Sequence, residues 1–166
     1  MEGGIGKRGK RARGALKGRA VDAGASAEVQ ALLAAAQRET GMEPRRRDLL
    51  IENLHRIQDR HGHISAAHIV ALAREMKLAM TEVYEVATFY HHFDVVKEGE
   101  RVPPALTVRV CDSLSCELSG ASALISGLTA ALGDKVRVIP APCVGRCEQA
   151  PVAVVGQNPV PQATVS

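Results

Sequence analysis

The stretch ALTVRVCDSLSCELSGA (105–121) changes the character of the chain. Ala105–Val110 is β-branched and ends directly on Cys111, with Cys116 following after four residues, so a strand is predicted to deliver a thiol at its end. Ser119–Leu132 then reads as a helix, with Leu124, Leu128 and Leu132 in line and Gly133 beyond its end. KVRVIPAPCVGRCEQAPVAVV (135–155) repeats the arrangement: a strand at Val136–Ile139, Pro140 and Pro142, the pair Cys143 and Cys147, and a third strand at Val152–Val155 closed by Gly156. Residues 105–166 are therefore expected to form a compact α/β unit whose helices cover a sheet, with both cysteine pairs where strands give way to loops.

Upstream the period is helical. Ser26 reads as the N-cap of a helix through Glu39, with Val29, Leu32, Leu33 and Ala36 on one face and Gly41 ending it. Pro44 opens a second helix at about residues 45–60, where Leu50, Leu54 and Ile57 recur, and Gly62 stops it. Ser65 caps a third, with Ile64 and Ile69 placed as a hydrophobic staple and Leu72 and Met76 continuing the stripe. A fourth starts at Thr81 and carries Val83, Val86, Ala87 and Tyr90. Residues 26–96 thus read as a small helical bundle, and 97–104 as a polar, proline-containing linker. The four aromatics, Tyr84, Phe89, Tyr90 and Phe93, cluster at the end of the bundle, suited either to its core or to a docking surface.

The net charge of +3 is misleading. Residues 1–20 hold Lys7, Arg8, Lys10, Arg11, Arg13, Lys17 and Arg19 against Glu2 alone, so the rest of the chain is acidic. Residues 1–25 are expected to be a disordered basic tail, too poor in apolar residues to order itself. That tail has no aromatic on which a base could stack, which argues against nucleic acid as a partner. Gly4–Gly9 spells G-x-G-x-x-G but lacks a preceding strand, and Arg11 stands where a P-loop needs Ser or Thr. No apolar run is long enough to span a membrane, and no secretory signal is visible, so the thiols are expected in a reducing, cytoplasmic compartment.

All four cysteines of the chain fall into the two pairs, spaced C-x4-C, 26 residues, C-x3-C. Two pairs of thiolates suit the two irons of a 2Fe–2S cluster. A zinc-stabilised interaction module is the nearest rival, although structural zinc sites favour tighter C-x2-C pairs, and disulfides or free thiols remain open. The C-x2-C-x2-C run of a 4Fe–4S cluster and the C-x-x-C of dithiol exchange are both absent. The six histidines read as helix-end residues, and no Ser/His/Asp set or carboxylate pair marks a catalytic centre.

VRVCDSLSCELSGA (108–121) and APCVGRCEQAPVAVV (141–155) resemble the two ligand loops of the thioredoxin-like 2Fe–2S ferredoxin family, that of the 24 kDa subunit of NADH dehydrogenase. HGHISAAHIVALAREMKLAMTEVYEVATFYHHF (61–93) is similar to its helical region, including E-V-x-x-V-A-T-F-Y at Glu82, Val83, Val86, Ala87, Thr88, Phe89 and Tyr90. The resemblance implies a thioredoxin-like 2Fe–2S domain preceded by a small helical bundle. It implies one 2Fe–2S cluster, with Cys111, Cys116, Cys143 and Cys147 on the ligand positions, a cis Ala150–Pro151 bond, and a flavin subunit binding FMN and NAD(H) as partner. The short stretch between the pairs looks most like the gamma subunit of soluble NAD-dependent formate dehydrogenases, which implies a larger formate dehydrogenase catalytic subunit as well. The respiratory NADH:quinone oxidoreductase and the diaphorase part of NAD-linked hydrogenases are the alternative hosts. Family members usually continue into a C-terminal helix after the segment matching GQNPVPQATVS, so either that helix is lost or the chain belongs to a longer or fused polypeptide.

Overall fold

A computed structural model describes residues 20–166; the glycine-rich motif and the basic tail through Arg19 lie outside the described residues. The first helix, α1, spans Ala23–Thr40, starting before the expected Ser26 because Asp22 takes the cap: its carboxylate accepts from the Ala25 N–H at 2.8 Å. Residues 23–25, expected in the tail, are therefore its first turn. Gly41 ends α1 in the left-handed conformation with φ 69°. Pro44 does not open the second helix. It sits in a turn followed by a short 3-10 segment, Arg47–Leu49, and α2 runs over Leu50–His61. The buried Asn53 amide donates to the Pro44 carbonyl at 2.8 Å, holding that turn against α2.

Ser65 caps α3 (Ala66–Met76) as expected, in a capping box completed by a histidine. The Ser65 Oγ accepts from the His68 N–H at 3.2 Å, and the Ser65 N–H donates to the His68 Nδ1 at 3.4 Å. Both staple residues, Ile64 and Ile69, are buried. The fourth helix, α4, spans Met80–Phe89. Two short strands that the periodicity does not reveal, β1 (Ile64–Ser65) and β2 (Val95–Val96), pair in parallel and close the bundle. One apolar cluster built from Val29, Leu33, Leu54, Ile57, Leu72 and Val83 with their neighbours fills it. The aromatics divide: Phe93 joins this core, whereas Phe89 is 80% exposed and Tyr84 and Tyr90 lie at the surface.

The second unit begins with β3 (Leu106–Cys111), crosses through α5 (Leu114–Leu118) and α6 (Ala121–Leu132), and returns as β4 (Val136–Ala141). Then follow β5 (Ala153–Val155) and β6 (Asn158–Val160), the latter not expected from the sequence because Pro159 hides its pattern. The sheet order is β4-β3-β5-β6, with β3 and β4 parallel and the other two neighbours antiparallel. Val108, Val110 and Val152 pack with Leu124 of α6 in a second apolar cluster. The helix expected from Ser119 begins instead at Ala121, because Gly120 before it adopts φ 95°, a conformation that strains any residue with a side chain. The short helix α5 ahead of it was expected to be loop.

Arg109, buried in the middle of β3, joins the two units. Its guanidinium donates to the His91 carbonyl (3.1 Å), the His92 carbonyl (2.9 Å) and the Asp94 carboxylate (2.8 Å). Asp94 also accepts from Arg137 of β4 and from Gln58 of α2.

Candidate metal centre

The sheet topology brings the cysteines together. Because β3 and β4 are parallel, their C-terminal ends share one edge of the sheet; because β5 is antiparallel to β3, its start lies at that same edge. Cys111 is the last residue of β3 and pairs in register with Ala141, at the end of β4 and two residues before Cys143. The Cys111 N–H donates to the Val152 carbonyl at 2.9 Å, and the Asp112 N–H to the Ala141 carbonyl at 3.0 Å, so the end of β3 is fastened to both downstream segments.

Only part of this set lies in loops. Cys116 is in α5, a short helix where a loop was expected, and Cys147 opens a 3-10 turn, Cys147–Gln149. That turn is held by the C-terminal segment: the Gln162 N–H donates to the Gln149 carbonyl at 2.9 Å and the Ala163 N–H to the Pro151 carbonyl at 2.8 Å. The Ala150–Pro151 bond is cis, as expected from the resemblance.

None of the four cysteines is in a disulfide. Cys111 and Cys116 are each 2% exposed, while Cys143 and Cys147 are at the surface. The Cys143 and Cys147 sulfurs stand 3.6 Å apart. That is far beyond a disulfide and close to the roughly 3.8 Å separating two thiolates on one tetrahedral metal with bonds of about 2.3 Å. The two loops also influence each other electrostatically: the Val144 amide of the second loop lowers the Cys111 thiol, and the Ser115 hydroxyl of the first acts to lower that of Cys147. The Gly145 N–H donates to the Cys143 sulfur at 3.4 Å; Gly145 holds φ 76°, which suits a residue without Cβ.

The electrostatics differ along the site. Burial pushes the Cys111 thiol up, but the Ser113 amide, the Cys116 thiol, and the Val144 amide outweigh it, and the net direction is down. Burial raises Cys116, against the Val152 amide. Cys147 is raised by its hydrogen bond with Cys143, against the Ser115 hydroxyl. Three sulfurs with backbone N–H groups directed at them and a fourth, Cys147, with a hydroxyl form a donor set that fits an iron–sulfur cluster, whose sulfurs accept such hydrogen bonds. Leu114 and Leu118, 76% and 82% exposed, flank Cys116 on α5.

A thioredoxin-like sheet that gathers unbridged cysteines at one edge defines a protein of the iron–sulfur carrier class. The chain belongs to the thioredoxin-like [2Fe-2S] ferredoxin family, which it matches over residues 36–166, and its cofactor is the 2Fe–2S cluster of that family. It is 30% identical over 124 residues to an NADH-quinone oxidoreductase subunit of Aquifex aeolicus, covering 69% of this chain and 74% of the relative. It is 33% identical over 123 residues to NADH-quinone oxidoreductase subunit 2 of Thermus thermophilus, covering 69% and 65%. The NADP-reducing hydrogenase subunit HndA of Solidesulfovibrio fructosivorans is 26% identical over 124 residues, covering 69% and 70%. A crystal structure of an NAD+-reducing [NiFe]-hydrogenase in the air-oxidized state shares the fold with a TM-score of 0.55 at 23% identity. The match covers 69% of this chain and only 20% of that one.

Proposed function

We propose that this chain is the 2Fe–2S electron-transfer subunit of an NAD-linked oxidoreductase of the NADH-quinone oxidoreductase or NAD-reducing hydrogenase type, with Cys111, Cys116, Cys143 and Cys147 as the thiolate ligands. One observation carries this reading. Cys111 pairs in register with Ala141, two residues before Cys143, and the Cys143 and Cys147 sulfurs stand 3.6 Å apart, so segments separated by 26 residues meet at one end of the sheet.

The bound cluster supplies one-electron redox chemistry. The chain's part is to hold it and to tune it. N–H groups of Ser113, Val144, Gly145 and Val152 directed at the sulfurs favour the more negative, reduced state. The two buried thiols exclude water on one side, while Cys143 and Cys147 leave the other side open to a partner. Leu114 and Leu118, exposed on the face of α5 turned away from the buried Cys116, offer apolar surface for a flavin subunit binding FMN and NAD(H). No helix among the described residues is long and apolar enough to cross a membrane, and we place the chain in the cytoplasm.

The names of the relatives support an NADH-quinone oxidoreductase or hydrogenase host. A formate dehydrogenase host, with its larger catalytic subunit, is the second reading, favoured by the short stretch between the cysteine pairs. Anaerobic purification tests both levels. Two irons and two sulfides per chain with an EPR signal on reduction support the ligand assignment; a colourless protein with one zinc overturns it. A co-purifying molybdenum or tungsten subunit selects the formate dehydrogenase host, and a nickel subunit the hydrogenase.

A further inference from the structure

We propose that Glu28, His61 and His68 form a second metal site, a zinc site that ties three helices of the bundle together and is built from residues apart from the cysteines. The three come from separate elements: Glu28 from α1, His61 from the last position of α2, and His68 from the first turn of α3. One ligand atom from each lies within 4.8 Å of the other two. The Glu28 Oε2 is 3.0 Å from the His68 Nε2 and 3.7 Å from the His61 Nε2. Ligands on a tetrahedral zinc with bonds of about 2.0–2.1 Å stand roughly 3.3–3.4 Å apart, so the two distances bracket the requirement.

A pure hydrogen-bond cluster leaves one atom unexplained. The His61 Nε2 is buried and has no hydrogen-bond partner. At 3.7 Å it is too far to donate well to Glu28, and if unprotonated its lone pair faces a carboxylate. The imidazoles of His61 and His68 lie against each other, centroids 4.5 Å apart and planes tilted by 36°. Burial, with the neighbouring His68 acting in the same direction, holds the His61 imidazole below its ordinary range, in the neutral form that ligates.

The surroundings also supply the orienting hydrogen bond that a ligating histidine needs. Without metal, the His68 Nδ1 accepts from the Ser65 N–H, leaving its Nε2–H to donate to Glu28. With metal on Nε2, the proton moves to Nδ1, where the Ser65 Oγ at 3.1 Å accepts it. Two imidazoles and one carboxylate suit zinc rather than calcium or magnesium. The exposure of Glu28 leaves the fourth coordination position to water.

The test is calorimetric titration of zinc chloride into the EDTA-treated, cluster-loaded chain, with iron content and visible absorbance followed in parallel. One zinc is expected to bind per chain with micromolar or tighter affinity, to raise the melting temperature, and to leave the iron signals unchanged. Glu28→Gln keeps an acceptor for the His68 Nε2–H, so it preserves the fold while removing the ligand charge. Glu28→Gln and His61→Ala should each weaken binding at least about tenfold. Failure to take up zinc at equimolar concentration, undiminished affinity in both variants, or zinc uptake in step with iron loss overturns the site.

Discussion

The Arg109 guanidinium donates to the Asp94 carboxylate at 2.8 Å, with both side chains nearly buried, and this pair joins the thioredoxin-like sheet to the segment leaving the helical bundle. Arg109 points away from the Val108 and Val110 face that packs with α6, so one strand serves two interfaces through its alternating side chains. With Arg137 and Gln58 also donating, Asp94 is the shared acceptor of α2, β3 and β4.

Removing that acceptor leaves a buried guanidinium without its counter-charge. Asp94→Ala is expected to destabilise the chain by about 3–5 kcal/mol, the usual cost of breaking a buried pair from one side. Urea unfolding measures it; a loss under about 1 kcal/mol would show that the junction carries no stability.

Cys116 is buried on α5, where no other thiol is at hand to take its place. Cys116→Ala should abolish the reduced-state EPR signal and lower iron per chain to near zero. Full retention of the signal would remove Cys116 from the ligand set.

The stability should depend on pH around His92. Burial holds its imidazole below the ordinary 6.5, with His55 and Arg109 pushing the same way against Asp59 and Asp94. The unfolded chain therefore takes up a proton near 6.5 while the folded chain stays neutral. This contribution is fully present above that pH and lost as pH falls through the window below it. His61, also lowered, adds the same sign. Thermal melts at about pH 7.5 and pH 6.0 should show a drop that His92→Asn reduces; an equal drop in the variant would assign the effect elsewhere.

Leu114 and Leu118 contribute little to the fold because solvent covers them. Leu114→Ser with Leu118→Ser should leave stability within about 0.5 kcal/mol. Co-purification of the flavin subunit should fall sharply. Undiminished capture would move the docking surface away from α5.

Much of the candidate site was legible because strand, thiol and spacing are local properties. Val108–Val110 running into Cys111 marks a strand end, and Ser65 with Ile64 and Ile69 marks a helix start. Where local signals competed, the expectation failed. Asp22 rather than Ser26 caps α1, since either side chain can accept from an N–H three positions on. Cys116 sits on a helix of only five residues, too short to show a period, where a loop was expected.

By itself, the order of residues determined a helical half, an α/β half and two thiol pairs set beside strands, all consequences of periodicity and residue chemistry. Only the tertiary structure decided that β3 lies between β4 and β5, which puts the cysteine segments at one edge of the sheet. It alone also brought Asp94 to Arg109 and Glu28 to His61 and His68. Those meetings depend on which faces of which elements bury against each other, a property of packing that no local window of sequence contains.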